Sequence, residues 1–282
     1  VVPAAKGHPI LRGVASEFKM GGSLYKNNPL AKAAKPLLTG AVEGHPAEPV
    51  AWTHSYKGNR TFYTSLGHAD DFAKRAAQHD AENSYPFENM EALRESGYTS
   101  MPIPADMGGG GASLLEVCIA QNRLAQGDGA TALAVNMHFG LPYVMCDLIK
   151  AGDDHPRPLL EKIAAEKLMV FAAVTDPQVD SLKGITGLGY TTVKATKTDG
   201  GFLINGRKAF ATNSPGGDLF ASTAIYDDPD EGEVAMIFIL PPDTEGLTCL
   251  NDWDTMGMRA SQSHSWTLEN VFVAEEGVIR HK

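Results

Sequence analysis

The chain has 282 residues, 43% hydrophobic and 21% charged, so it can bury at least one sizeable core, and a disordered or fibrous chain is excluded. A net charge of −10 with a pI near 5.3 argues against a nucleic-acid or anionic-membrane surface, which would need a basic footprint. Cys118, Cys146 and Cys249 are odd in number and widely spaced, which points to neither a disulfide framework nor a zinc site and makes a cytoplasmic location the expectation. The opening VVPAAKGHPI lacks the apolar run of a signal peptide, and no segment is expected to span a bilayer. A start at Val1 rather than Met suggests a trimmed or partial chain.

Residues 1–72 read as loops and strands, closing on PVAWTHSY and RTFYTSLGH around Lys57, Gly58 and Asn59, a hairpin pattern. From Ala73 the character becomes helical. AKRAAQHDAEN is followed by PFENMEALRESG, where Pro86 opens a helix and Gly97 stops it. After the loop MPIPADMGGGGAS, Ser113 and Glu116 form a capping box for SLLEVCIAQNRLAQ. ATALAVNMHFGLPYVMCDLIKAG is apolar on most faces and predicts a helix buried between others, kinked or split at Gly140 and Pro142. LLEKIAAEK continues the helical run. Beyond Leu168 the period changes to two through MVFAAVTD, TTVKATKTDGGFLINGRKAFATN, FASTAIYD, VAMIFIL and SWTLENVFV, with the clearest hairpin turn at Asp199, Gly200 and Gly201. Helices followed by an antiparallel β block make an α+β chain.

The strings VTDPQVDS, INGRKAFATNS, MGMRAS and LENVFV, in that order and β context, resemble the middle domain of acyl-CoA dehydrogenases. With the upstream helices the resemblance covers about 210 residues. It implies a helical domain at 73–167 and an antiparallel, β-barrel-like middle domain at 168–282, with FAD as cofactor. It also implies an acyl-CoA thioester as substrate, an electron-transfer acceptor and a homo-oligomer once the full domain set is present. Carried over by position, Thr175 would meet the polar edge of the flavin, with backbone contacts from Val174 and Phe171. Thr212 would approach flavin N5. Phe210, where the family usually has Trp, would cover the ring and keep one face dry. Ser181 would touch the pyrophosphate and face the acyl-CoA. Each has a plainer alternative: Phe210 as core packing, Thr175 as part of a turn before Asp176 and Pro177.

Two departures qualify the resemblance. The family's Gly-Ala-Gly between Pro177 and Ser181 is here Gln178, Val179 and Asp180, and an Asp carboxylate repels phosphate oxygens, so weak FAD binding is expected. The glycines at 108–111 lack a phosphate-loop context. In the family a C-terminal helical domain supplies the catalytic carboxylate, and no residue up to Lys282 matches it, so the chain is expected to be truncated, with no catalytic residue of its own and no turnover.

HPILRGV and EPVAWTHSYKGNRTFYTSLGHADDF, within 1–72, resemble the C-terminal part of the trehalose-utilisation (ThuA-like) family, which implies part of an amidotransferase-like α/β fold. His68 sits where related amidotransferases place a catalytic His, with His54 one strand away, but without a nucleophile both read as hairpin residues. Two partial families meeting at Phe72 and Ala73 predict a chimeric chain with little shared core. The expected function is acyl-CoA dehydrogenation. A flavin monooxygenase or nitroalkane-oxidase relative, and a non-catalytic scaffold, are the alternatives.

Overall fold

The computed structural model describes residues 5–11, 15–17, 28–56, 59–64, 69–177 and 191–281. They divide into two compact units, Val1–Arg75 and Ala76–Lys282.

The first unit holds a three-stranded antiparallel sheet of β1 (Lys35–Gly40), β2 (Glu48–Tyr56) and β3 (Asn59–Thr64) in sequential order. The expected hairpin is β2–β3, closed by the pair Tyr56 and Asn59. Leu37, Leu38, Val50 and Ala51 are buried with Ala5 in a small core of their own. Helix α1 (Ala69–Glu82) runs through the expected boundary at residues 72 and 73, so the change of pattern there does not coincide with a break in secondary structure.

In the second unit, α1 is followed by α2 (Phe87–Glu95), α3 (Leu114–Ala125), α4 (Gly129–Lys150) and α5 (Arg157–Glu166). Pro86 is the N-cap of α2, and Gly97 turns the chain away with φ of 77°. The Ser113–Glu116 capping box on α3 is complete in both directions. Asp128 caps α4 by accepting from the Ala130 and Thr131 amides at 2.9 and 3.2 Å. Of the expected kink or split of α4, the split does not occur: it is one continuous helix with Pro142 buried inside it.

α4 also corrects the expectation that no segment could span a bilayer, since by length and hydropathy it qualifies. Its apolar character has another use here. Ala132, Ala134, Val135, Phe139 and Met145 are buried, and Met145 and Cys146 share a core with α5 and Val170. A helix enclosed by neighbours on several sides must be apolar on several faces.

Strands then take over: β4 (Val170–Ala173), β5 (Lys194–Thr198), β6 (Gly201–Ala211), β7 (Leu219–Asp228), β8 (Gly232–Leu240), β9 (Leu247–Cys249), β10 (His264–Ala274) and β11 (Val278–His281). The Asp199–Gly200 turn joins β5 to β6, with Gly200 at φ 74° and Thr198 paired to Gly201. The sheet order is β11-β8-β7-β5-β6-β10-β9, and β4 pairs with β7. An antiparallel barrel-like sheet was expected, but the sheet is mixed. β4 and β5 both run parallel to β7, one beside Leu219 to Ser222 and the other beside Ile225 and Tyr226. They therefore occupy successive stretches of one β7 edge, with the chain leaving after Ala173 and returning at Lys194. Period-two patterning marks strands but carries no information about their direction.

The sheet core is aromatic. The Phe171 ring lies 5.4 Å from Phe220 and 5.3 Å from Trp266, centre to centre, and a side chain at Gly217 would collide with it.

Candidate functional site

Where the chain leaves the β7 edge, the backbone turns outward and exposes Val174 and Thr175. Thr175 pairs with Ala209 of β6 in an isolated antiparallel bridge, its carbonyl accepting from the Ala209 amide at 2.9 Å. The next residue of β6, Phe210, is 58% exposed and adopts φ of 57°. A bulky aromatic rarely enters the left-handed region, because its Cβ crowds the backbone, and such strain persists only where surroundings impose it. Phe210 meets Trp253 edge to face at 6.1 Å. Asn213, Met258 and Gln262 also have positive φ, so uncommon backbone gathers in the segments around Phe210 and the 258–262 turn.

Behind this surface the polar groups are tied together. Thr212, which is buried, shares a 2.8 Å hydrogen bond with Ser263, whose Oγ shares another of 2.8 Å with Ser261. Each hydroxyl has one proton to donate. The three oxygens share two contacts and so leave one proton over, at the Thr212 end where the bonds run from Ser261 and at the Ser261 end where they run from Thr212. Asn213 donates its amide to the Ser261 carbonyl, and its Oδ1 accepts from Tyr85 Oη. The buried Asn213 Nδ2 has no partner among the described residues. Trp266 Nε1 donates to Ser214 Oγ at 3.0 Å, fixing the far end of the segment.

Asp176, next to Thr175, is buried and accepts from the Thr192 amide at 2.5 Å, Thr192 Oγ1 at 2.8 Å and Thr191 Oγ1 at 3.2 Å. Lys208 is wholly buried on β6. Its ammonium donates to Thr191 Oγ1 at 2.6 Å, Thr223 Oγ1 at 3.0 Å and the Val174 carbonyl at 3.3 Å. Burial pulls its pKa down to about 8, against the opposing pull of Asp176.

Of the residues singled out from sequence, Val174 and Thr175 are exposed beside the Thr175–Ala209 bridge, Phe210 is exposed one residue beyond it, and Thr212 is buried. The Phe171 ring is in the sheet core, and its main chain, paired with Phe220, belongs to β4 just before this corner. Ser181, with Gln178, Val179, Asp180 and also His68, lies outside the described residues. His54 is half-buried on β2. The glycines at 108–111 use their amides on their own loop, Gly110 to Ser100 at 3.0 Å and Gly111 to Ile103 at 2.8 Å, which leaves none of those two donors for a phosphate. Sequence reasoning missed Lys208, Asp176, Thr223 and the two serines. The one available signal was the Ser222–Thr223 pair inside the apolar run LFASTAIY, two hydroxyls where a buried strand ordinarily has none.

An open cavity of about 300 Å³ lies nearby, lined by Tyr85, Phe87, Met90, Glu91, Arg94 and residues 215–218. Its cation is already committed: Arg94 pairs with Asp218 at 2.7 Å and donates to the Gly216 carbonyl at 2.7 Å.

Residues 68–167 match the family model of the acyl-CoA dehydrogenase N-terminal domain, and residues 172–271 that of the middle domain. These domains belong to the acyl-CoA dehydrogenase family. The acyl-CoA dehydrogenase-like protein YdbM of Bacillus subtilis is 33% identical over 213 residues, covering 75% of this chain and 54% of its own length. Mitochondrial isovaleryl-CoA dehydrogenase of Arabidopsis thaliana is 27% identical over 213 residues, 74% of this chain and 50% of that protein. L-evernosamine nitrososynthase of a Micromonospora strain is 30% identical over 198 residues, 70% and 45%. Among solved structures, KijD3 in complex with FMN and a dTDP-linked amino-keto sugar superposes with a TM-score of 0.66 at 27% identity, covering 76% of this chain and 52% of that one. The chain spans about half the length of these relatives.

Proposed function

We propose that the Val174–Thr175 corner, Phe210 and Thr212 form one wall of a flavin site, and that the reaction served is α,β-dehydrogenation of an acyl-CoA thioester. The observation that carries this is Phe210, a strained and exposed aromatic next to Ala209, which bridges the exposed Thr175 two residues after β4. The donor set fits a planar heteroaromatic ligand. Phe210 and Val174 offer apolar surface that excludes water, Thr175 an exposed hydroxyl, and Thr212 a hydroxyl held from behind by its hydrogen bond with Ser263. The unpartnered Asn213 Nδ2 leaves a further donor in the same segment. A bound flavin supplies the hydride acceptor; the chain's residues supply orientation and dryness.

None of Phe171, Val174, Thr175, Ser181, Phe210 and Thr212 carries a carboxylate, so the proton acceptor of a dehydrogenation is not assigned among them. The choice between FAD and FMN turns on Asp180, whose charge opposes a pyrophosphate. The likeness to L-evernosamine nitrososynthase and to KijD3 bound to FMN, neither of which is named for a thioester, supports a second reading outside thioester dehydrogenation, for which we propose a flavin-dependent monooxygenase. For residues 1–72 a ThuA-like origin rests on the string likeness and the β2–β3 hairpin, and no activity is proposed for them.

Anaerobic addition of octanoyl-CoA or isovaleryl-CoA to flavin-loaded protein should perturb the flavin band by binding without bleaching it while no carboxylate takes the α proton. Joining these domains to a family C-terminal helical domain should add bleaching and electron transfer to an artificial acceptor. Oxygen consumption on supply of reduced FMN, with no bleaching of the joined protein by any thioester, would overturn dehydrogenation in favour of the monooxygenase reading.

A further inference from the structure

Lys208 stands at a gap in the sheet. Along β7, Ser222 is the last residue paired with β4 and Ile225 the first paired with β5, which leaves Thr223 and Ala224 without a ladder partner on that edge among the described residues. The ammonium of Lys208 reaches into this interval from β6. It has three protons and three acceptors: Thr223 Oγ1 on β7, Thr191 Oγ1 just before β5, and the Val174 carbonyl just after β4. It therefore bonds a residue just after β4, a residue just before β5 and the strand that both of them pair with.

Thr175 is consequently fixed on three sides. Its own carbonyl is held by the Ala209 amide, the carbonyl before it by Lys208, and the carboxylate after it by Thr191 and Thr192. A buried cation is a costly way to close a sheet, and an apolar side chain of similar volume would fill the same space with no desolvation penalty. The geometry gives the charge a use that an apolar residue lacks, because Val174 and Thr175 are the exposed residues of this corner.

We infer that Lys208 is a positioning residue for ligand binding: its ammonium clamps the Val174 carbonyl and thereby sets the place of Thr175 on the flavin-facing surface. The inference rests on the flavin reading above. The groups facing Lys208 are the Asp176 carboxylate, acting through Thr191, and the uncharged Thr191, Thr223 and Val174 carbonyl.

Loss of the ammonium's proton should loosen the clamp while relieving the burial of a charge. The Lys208 pKa is depressed in the folded state, from 10.5 to about 8, so between these values the unfolded chain binds more protons and raising the pH favours folding. Ligand affinity and stability should thus move in opposite directions, which a purely structural role would not produce.

The test is a fluorescence titration of the whole chain with FAD, and separately with FMN, from about pH 7 to about pH 9, beside thermal unfolding at each pH. Wild-type affinity is expected to fall across this range with no loss of thermal stability. Lys208→Met is expected to bind about tenfold more weakly at neutral pH, the scale of one charge-assisted hydrogen bond, and to show no further fall with pH. A Lys208→Met protein that binds as tightly as wild type would overturn the role. So would a wild-type affinity that is flat with pH or falls only in step with stability, a measurement that stands even where the variant does not fold. A wild-type protein that binds neither flavin would overturn the flavin reading, and the positioning role with it.

Discussion

Two buried bases in the second unit, His138 and Lys208, have the same exposure and opposite consequences. His138 sits on α4, wholly buried, with Nε2 donating to the Thr99 carbonyl at 2.9 Å and Nδ1 accepting from the Val170 amide at 2.9 Å. Both partners are main chain, and both belong to segments that α4 packs against. Burial holds the imidazole pKa down to about 4, so it works as a neutral bracket between helix and sheet. Lys208 is held just as completely, yet one of its partners, the Val174 carbonyl, belongs to an exposed residue. Burial of a titratable group does not by itself mark a site. What separates the two is whether its hydrogen bonds end in the interior or at a surface that can take a ligand.

The comparison is most sharply broken at His138. His138→Ala should destabilise the second unit by about 3 to 5 kcal/mol, since it opens a cavity and orphans a buried amide and a buried carbonyl. Chemical denaturation reads this directly, and a loss below about 1 kcal/mol would show that the bracket is dispensable. Acid should produce nearly the same effect without mutation. The folded pKa of about 4 lies below the unfolded 6.5, so this contribution is complete above pH 6.5 and is lost as the pH falls toward 4. The total is on the order of 3 kcal/mol. Unfolding midpoints between those pH values should slope downward in wild type and flatten in His138→Ala.

Smaller effects test the surroundings. Asp128 caps α4 and also accepts from Thr131 Oγ1 at 2.5 Å and Asn89 at 3.3 Å, so Asp128→Ala should cost about 2 kcal/mol. Thermal unfolding checks it, and an unchanged midpoint would mean the cap contributes nothing. At Phe210 the sign should reverse. Phe210→Gly removes left-handed strain from an exposed side chain and should raise stability by up to about 1 kcal/mol while weakening flavin binding. A variant that is both less stable and equally good at binding flavin would return Phe210 to ordinary packing.

Much of this arrangement is legible in residue order. The Ser113–Glu116 box, the Gly97 stop, the Asp199–Gly200 turn and the change from helix to strand between Glu166 and Val170 all follow from local chemistry, because caps, turns and period are properties of neighbouring residues. The resemblance found in VTDPQVDS and INGRKAFATNS led to Val174, Thr175, Phe210 and Thr212, and to the family. The same resemblance offered Phe171 as a backbone contact and said nothing of where its ring lies. The distinction between a ring on the surface and one against Phe220 and Trp266 depends on residues about 50 and 95 positions away.

What the sequence determined by itself, then, is the inventory: which segments are helix or strand, where they stop, and which strings carry the family. The tertiary structure alone decided that β4 and β5 share one edge of β7 in parallel, and that Lys208, next to the half-exposed Arg207, turns inward to bond residues on either side of the interval between them. The physical reason is that strand direction and the satisfaction of a buried ammonium are fixed by partners distant in the chain, Thr191, Thr223 and Val174, and periodicity records only near neighbours.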